Sequence, residues 1–185
     1  PIAAKVVEVL GLPDAPGTDI LSIVRAHGMT EAFPPRVKAA AAAMDAPIPE
    51  DDIRRREDLR SEMIVTIDGR DSKDFDDAVS LEKLNNGNYL LGVHIADVAH
   101  YVHARSALDN EAYRRGTSVY FTDRVIPMLP EELSNGICSL NPNEDRLALS
   151  CFMEIDGKGN VLNHRLSETV IRSKYRLVYD DVSAL

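Results

Sequence analysis

The sequence predicts an α+β fold whose sheet is mainly antiparallel. Three observations carry that expectation. Two β-type stretches, Ala78 to Leu84 and Asn88 to Ile95, flank Asn85-Asn86-Gly87, whose residues tolerate the positive φ of a tight hairpin turn. A second pair flanks Asp156-Gly-Lys-Gly159: Arg146 to Ile155 before it, Val161 onward after it. Most helical patterns are grouped ahead of these strands, and strands adjoining in sequence form antiparallel sheet rather than parallel crossovers.

Each element has a local reason. Lys5 to Leu10 is a short β-type run, followed by the Gly/Pro-rich Gly11 to Gly17. Thr18 can cap a helix with apolar positions Ile20, Leu21, Ile23 and Val24, stopped by Gly28. Pro34 and Pro35 suit the first turn of a second helix that carries Val37 and the alanine run to Met44, and Pro47 and Pro49 end it. Glu50 to Arg60 is acidic early and has Arg54, Arg55, Arg56 and Arg60 late, which complements a helix dipole. Those arginines read as a solvated helix face in preference to a phosphate contact. From Glu62 the period shortens through Met63, Ile64 and Val65. Ser106 to Arg115 reads as a helix ended by Gly116, then come the β-like Thr117 to Phe121, a short element at Val125 to Leu129, and Glu131 to Asn135 broken by Gly136.

Composition bounds the function. With 185 residues and 44% hydrophobic content the chain can bury a core. No apolar run approaches the ~20 residues of a membrane span, and no basic-then-apolar leader opens the chain. Cys138 and Cys151 lack metal-type partners nearby and read as free thiols in a reducing cytoplasm. Thirty acidic against 21 basic residues leave a net charge of −9, which opposes binding of a polyanion unless bound cations or basic modules elsewhere attract it. The chain starts at Pro1 and stops at Leu185 without a tail, as a piece of a longer protein would.

The densest chemistry lies in Ile67 to Ala78, I-D-G-R-D-S-K-D-F-D-D-A, with Asp68, Asp71, Asp74, Asp76 and Asp77 within ten residues. So many carboxylates repel one another unless solvated or neutralised, and a divalent cation is the first candidate. Two-cation phosphoryl chemistry needs several carboxylates around ions ~3.5–4 Å apart. In an ideal strand Asp74 and Asp76 share one face and Asp77 the other, so a common site requires irregular backbone, which Gly69 permits. A calcium-loop pattern fails, since Arg70, Lys73 and Ala78 occupy positions that need oxygen ligands. Composition alone leaves a solvated acidic loop and a metal site as equals. His94, Asp97 and His100 lie in an apolar, strand-like setting and read as hydrogen-bonded structural residues. Gly157-Lys-Gly159 has no helix after it and reads as a turn.

Thr66 to Val79, T-I-D-G-R-D-S-K-D-F-D-D-A-V, closely resembles the opening motif of the catalytic RNB-type domain of the ribonuclease II and ribonuclease R exoribonucleases. Further family-like motifs follow in order: Gly92 to Val102, Gly116 to Phe121, Ile126 to Pro130 and Leu133 to Asn141. Five in order make a strong match. The resemblance spans 58–185 as the N-terminal part of that domain, while 1–57 is similar to the mostly helical connector from a preceding RNA-binding domain.

That resemblance implies magnesium held by Asp68, Asp74, Asp76 and Asp77, with Asp71 outside the set and Asp76 either binding an ion or positioning the attacking water. It implies hydrolysis of single-stranded RNA from its 3′ end to nucleoside 5′-monophosphates, in RNA turnover. Tyr120 falls where the family stacks a tyrosine on the terminal base; without the resemblance a core tyrosine would be the better reading. The family's domain continues well past this length, with a downstream arginine at the active site and flanking OB-fold domains that supply a basic RNA path. Their loss leaves a feeble or inactive piece with apolar surface exposed and a sheet edge free for self-association. A non-catalytic RNA- or protein-binding member of the fold, or a phosphodiesterase acting on DNA or a small ester, are the alternatives.

Overall fold

The computed structural model describes residues 3–44 and 46–184. Its front is helical: α1 (Thr18–Ala26), α2 (Pro35–Ala42) and α3 (Glu50–Arg55). Pro35 occupies the first turn of α2, where a missing N–H costs nothing. At α1 the cap position belongs to Gly17, with φ 83°, and Thr18 is the first helical residue instead of the cap. The expected strand at Lys5 to Leu10 does not form. Val6, Val7 and Val9 are exposed there, because β propensity acts only where a neighbouring strand offers a ladder and a face to cover. Glu8 instead pairs with Arg25 of α1 at 2.8 Å.

The remaining chain builds a seven-stranded sheet. Its strands are β1 (Glu57–Asp58), β2 (Ile64–Asp68), β3 (Asp77–Lys83), β4 (Tyr89–Ala96), β7 (Arg146–Ile155), β8 (Val161–Ile171) and β9 (Tyr175–Val178). The spatial order is β1-β8-β7-β4-β3-β2-β9. The central pairs are antiparallel, and only the edge pairs β1 with β8 and β2 with β9 are parallel. Gly87 closes the β3–β4 hairpin at φ 88°, and Asp156 Oδ1 accepts from Lys158 and Asn160 N–H in the β7–β8 turn. Between the hairpins lie α4 (Val98–Tyr101), α5 (Ala107–Arg115), the two-stranded ribbon β5 (Val119–Tyr120) and β6 (Val125–Ile126), and a π-helical turn, Glu132–Ile137. Ser106 caps α5 through the Asp109 N–H, and Gly116 ends it. The chain closes on α6 (Tyr179–Ser183). No helix among the described residues is long and apolar enough to cross a membrane.

One core joins the helices to the sheet, with Val37, Ala41, Leu108, Leu133 and Leu140 buried alongside Ile64, Ala78, Ala96, Ala148 and Phe152. The opposite sheet face is apolar yet open: Leu81, Ile95, Leu149 and Leu166 are all exposed. β1 covers β8 only at Thr169 and Val170, so Val161 to Ser167 form a sheet edge with no further strand among the described residues.

The arginines at the end of α3 and after it divide. Arg54 and Arg55 are solvated, as expected. Arg56 is not: its side chain is 5% exposed, pairs with Asp97 at 2.6 Å and donates to the Ala148 carbonyl, because the chain turns inward to join β1. Arg60 bridges Asp58 and Asp145. Asp97 also caps α4 through the His100 N–H, a structural use of both residues.

His94 lies within a polar line across four strands. Thr169 Oγ1 donates to the Ala148 carbonyl, which leaves it to accept from Ser150, and Ser150 in turn accepts from His94 Nδ1–H. His94 Nε2 is thereby the acceptor for Ser80 Oγ–H at 3.1 Å. Burial pushes the imidazole down to about 4, consistent with a neutral ring.

Candidate active site

The acidic motif spans the end of β2, an irregular loop at 69–76 and the first residue of β3. The loop is fixed from both sides. Arg176 of β9 donates through Nη2 to the Gly69 carbonyl at 3.0 Å and also to that of Arg70, and its guanidinium lies 5.2 Å from the Phe75 ring centroid. On the other side, buried Ser139 donates to the Lys73 carbonyl at 2.9 Å and accepts from the Phe75 N–H at 3.0 Å. The Leu140 N–H bonds the Phe75 carbonyl at 2.7 Å and the Ala96 N–H bonds that of Asp76 at 2.9 Å. Ser139 follows the π-helical turn, which Arg146 stabilises by donating to the Ser139 and Gly136 carbonyls. A freely solvated acidic loop would carry no such set of backbone attachments.

The carboxylates differ in setting. Asp68 is buried, and its Oδ2 has no hydrogen-bond partner among the described residues. Burial first, then the charges of Asp77 and Asp76, raise its carboxyl above the ordinary range, Asp74 adding to them and Arg176 opposing. Asp74 is half-buried and accepts from Tyr120 O–H at 3.0 Å. Asp76 and Asp77 are exposed, as is Asp71. Among the described residues no Lys, Arg or His lies within ion-pair distance of any of the five.

The backbone does leave regular geometry before Asp77, as a common site requires. Asp77 still pairs with Ile95 and has the strand parity of Val79, opposite to that of Asp68, and the Asp74 carboxylate is occupied by Tyr120. Consequently no three acidic, histidine or cysteine groups among the described residues converge tightly enough here to hold an ion. The donor set nevertheless fits a hard divalent cation in kind: short-armed oxygen ligands, none of them in an ion pair among the described residues, and one buried carboxylate oxygen without a partner.

Beside the loop opens a cleft of about 620 Å³ whose walls include Arg70, Lys73, Asp74, Ser118, Tyr120 and Asn135. Tyr120 projects from the β5–β6 ribbon with 66% of its surface exposed, so a core role is excluded. Its bond to Asp74 raises the phenol above its ordinary value. Sequence reading singled out Tyr120 and the aspartates but missed Ser139 and Arg176. Ser139 lies inside the Leu133 to Asn141 motif, a usable signal; Arg176 lies in Lys174-Tyr-Arg-Leu-Val178, where no local pattern marks it.

A family model described as RNB domain matches residues 56–185, and the chain belongs to that family. A second model, described as cold shock domain, matches residues 2–34. Ribonuclease R of Thermotoga maritima is 56% identical over 182 residues, which is 97% of this chain and 26% of that protein. The solved structure of Mycoplasma genitalium RNase R in complex with ribose-methylated single-stranded RNA matches with a TM-score of 0.89 at 35% identity, over 95% of this chain and 27% of the other. The yeast pseudonuclease Ssd1 matches with a TM-score of 0.79 at 20% identity, over 95% of this chain and 22% of the other, a likeness of fold alone. The chain thus spans about a quarter of the length of these proteins.

Proposed function

We propose that this chain is the metal-holding part of a longer, magnesium-dependent exoribonuclease of the ribonuclease R type, which hydrolyses single-stranded RNA from the 3′ end to nucleoside 5′-monophosphates. The observation that carries the reading is the clamped acidic loop: aspartates without a cationic partner beside a cleft that an exposed tyrosine borders. The fold cannot carry it, since a pseudonuclease shares that fold.

Asp68, Asp74, Asp76 and Asp77 would hold the magnesium, with Asp71 outside the set. When bound, the metal supplies Lewis acidity toward a phosphoryl oxygen and lowers the pKa of water. The protein's own groups do the rest. Tyr120 offers an exposed ring on which any base can stack, which suits a sequence-blind enzyme. Its hydroxyl holds Asp74, coupling base position to the acidic loop. Arg70 and Lys73 bring positive charge into a cleft otherwise opposed to phosphate. The net charge of −9 assigns attraction of the RNA to modules beyond this chain, in the family basic OB-folds. Residues 1–57 are read as the connector from one such module, and the cold shock match over 2–34 is in keeping with an RNA-binding module of that type at this end of the chain.

The test is Asp76→Asn in the full-length protein, assayed on RNA, DNA and small phosphodiesters. RNA hydrolysis lost with RNA binding kept is expected; an unimpaired variant overturns the assignment. A wild type that binds RNA but cleaves nothing selects the non-catalytic alternative, and one that prefers DNA or small esters selects the other. Self-association of the isolated chain through the open β8 edge at Val161 to Ser167 is a further proposal. A concentration-independent monomer in light scattering ends it.

A further inference from the structure

Arg176 approaches the acidic motif from a strand that is adjacent only in the fold. β9 runs parallel to β2, with Arg176 in register with Thr66 and Val178 with Asp68. Registered neighbours in a parallel pair project from the same sheet face, so the Arg176 side chain lies beside Thr66 and Asp68. One guanidinium nitrogen then spans the loop, meeting the carbonyls of Gly69, Arg70 and Ser72. The guanidinium carbon lies over the Phe75 ring, 5.2 Å from its centroid, a cation–π contact that favours this placement.

A second observation is independent of that clamp. Among the described residues three buried polar atoms lack partners in this region: Thr66 Oγ1, Asp68 Oδ2 and Arg176 Nε. They belong to register neighbours and to alternate positions of one strand, so a hydroxyl, a guanidinium N–H and a carboxylate oxygen share the buried face of β2 and β9. Buried polar groups are usually satisfied, and a cluster of exceptions marks a place prepared for a specific arrangement. A lysine at 176 would supply charge but neither the planar group beside Phe75 nor a counterpart to the buried Nε–H.

We propose that Arg176 is a positioning residue for the metal site: its Nη2 holds the 69–72 loop and its Nε face, with Thr66, sets the buried oxygen of Asp68. This rests on the metal reading above. Arg176 is not among the residues that line the cleft, so its effect should fall on metal affinity and leave the chemical step almost untouched.

The experiment uses Arg176→Lys in the full-length protein, with Arg176→Gln, which keeps an amide donor without charge, as the second variant. Arg70 and Lys73 make the loop its own tryptic reporter. In metal-free buffer, cleavage after these two residues is expected to accelerate about tenfold as the loop opens locally. Manganese(II) affinity, read by its paramagnetic resonance signal, should weaken about tenfold, and half-saturating magnesium for RNA hydrolysis should rise by the same factor. Maximal rate at saturating magnesium should stay within about threefold of the wild type, because the interactions made only in the transition state are intact. Wild-type loop protection and wild-type metal affinity in both variants overturn the proposal, as does a collapse of maximal rate that magnesium does not restore. If the wild type itself binds no metal and cleaves no RNA while loop protection still falls in the variants, the functional reading fails and the loop clamp stands.

Discussion

Ser139→Ala tests whether the acidic loop is held as the structure indicates. Ser139 is 1% exposed, and its hydroxyl both accepts from the Phe75 N–H and donates to the Lys73 carbonyl. Phe75 is itself buried, so its N–H finds no water when the hydroxyl is removed, and an unsatisfied buried donor costs about 1–3 kcal/mol. Lys73 is exposed, so its carbonyl regains solvent and adds about 0.5–1 kcal/mol, the net worth of an ordinary hydrogen bond. The sum is a destabilisation of about 1.5–4 kcal/mol, with little repacking because alanine leaves only a hydroxyl-sized gap. Urea unfolding should show a lower midpoint at unchanged slope, and amide exchange should rise most at Phe75. A loss below about 0.5 kcal/mol, or exchange unchanged at Phe75, would refute the strap and with it the claim that Asp74 and Asp76 sit on fixed backbone.

Tyr120→Phe keeps the ring and removes the bond to Asp74, so RNA affinity should stay near wild type; Tyr120→Ala should weaken binding by about 1–3 kcal/mol, and equal losses in the two would assign the effect to the hydroxyl. His94 is held at about 4 against an ordinary 6.5, so the unfolded chain takes up this proton first as pH falls. Its contribution is therefore complete above 6.5 and is lost on descending toward 4, at a limiting slope of about 1.4 kcal/mol per pH unit. Urea midpoints between pH 7 and 5 measure this, and His94→Gln should flatten the slope there. Asp97→Asn keeps the cap of α4 but strands the buried Arg56 charge, with an expected cost of about 3–5 kcal/mol in the same unfolding assay.

Much of this molecule is legible in local sequence because local physics sets it. The turn at Asn85-Asn86-Gly87 places two strands in one register, since a tight hairpin joins only antiparallel neighbours. Ser106 and Gly116 bound α5 through a side-chain cap and a positive φ, both of them interactions within a few residues. The aspartate spacing exposes the chemistry of the motif for the same reason: its members are close along the chain. Lys5 to Leu10 has the composition of a strand and is not one, because pairing depends on a partner that its own residues do not encode. Arg56 looks like its solvated neighbours until Asp97, 41 residues away, buries it. The same holds for Tyr120 reaching Asp74 across 46 residues and for Arg176 holding carbonyls more than 100 residues upstream. Which aspartate is buried, which is occupied and what keeps the loop in place are consequences of parallel edge pairing and long-range hydrogen bonds. Such contacts are specified by the packing of the whole chain, and short-range pattern carries almost no record of them.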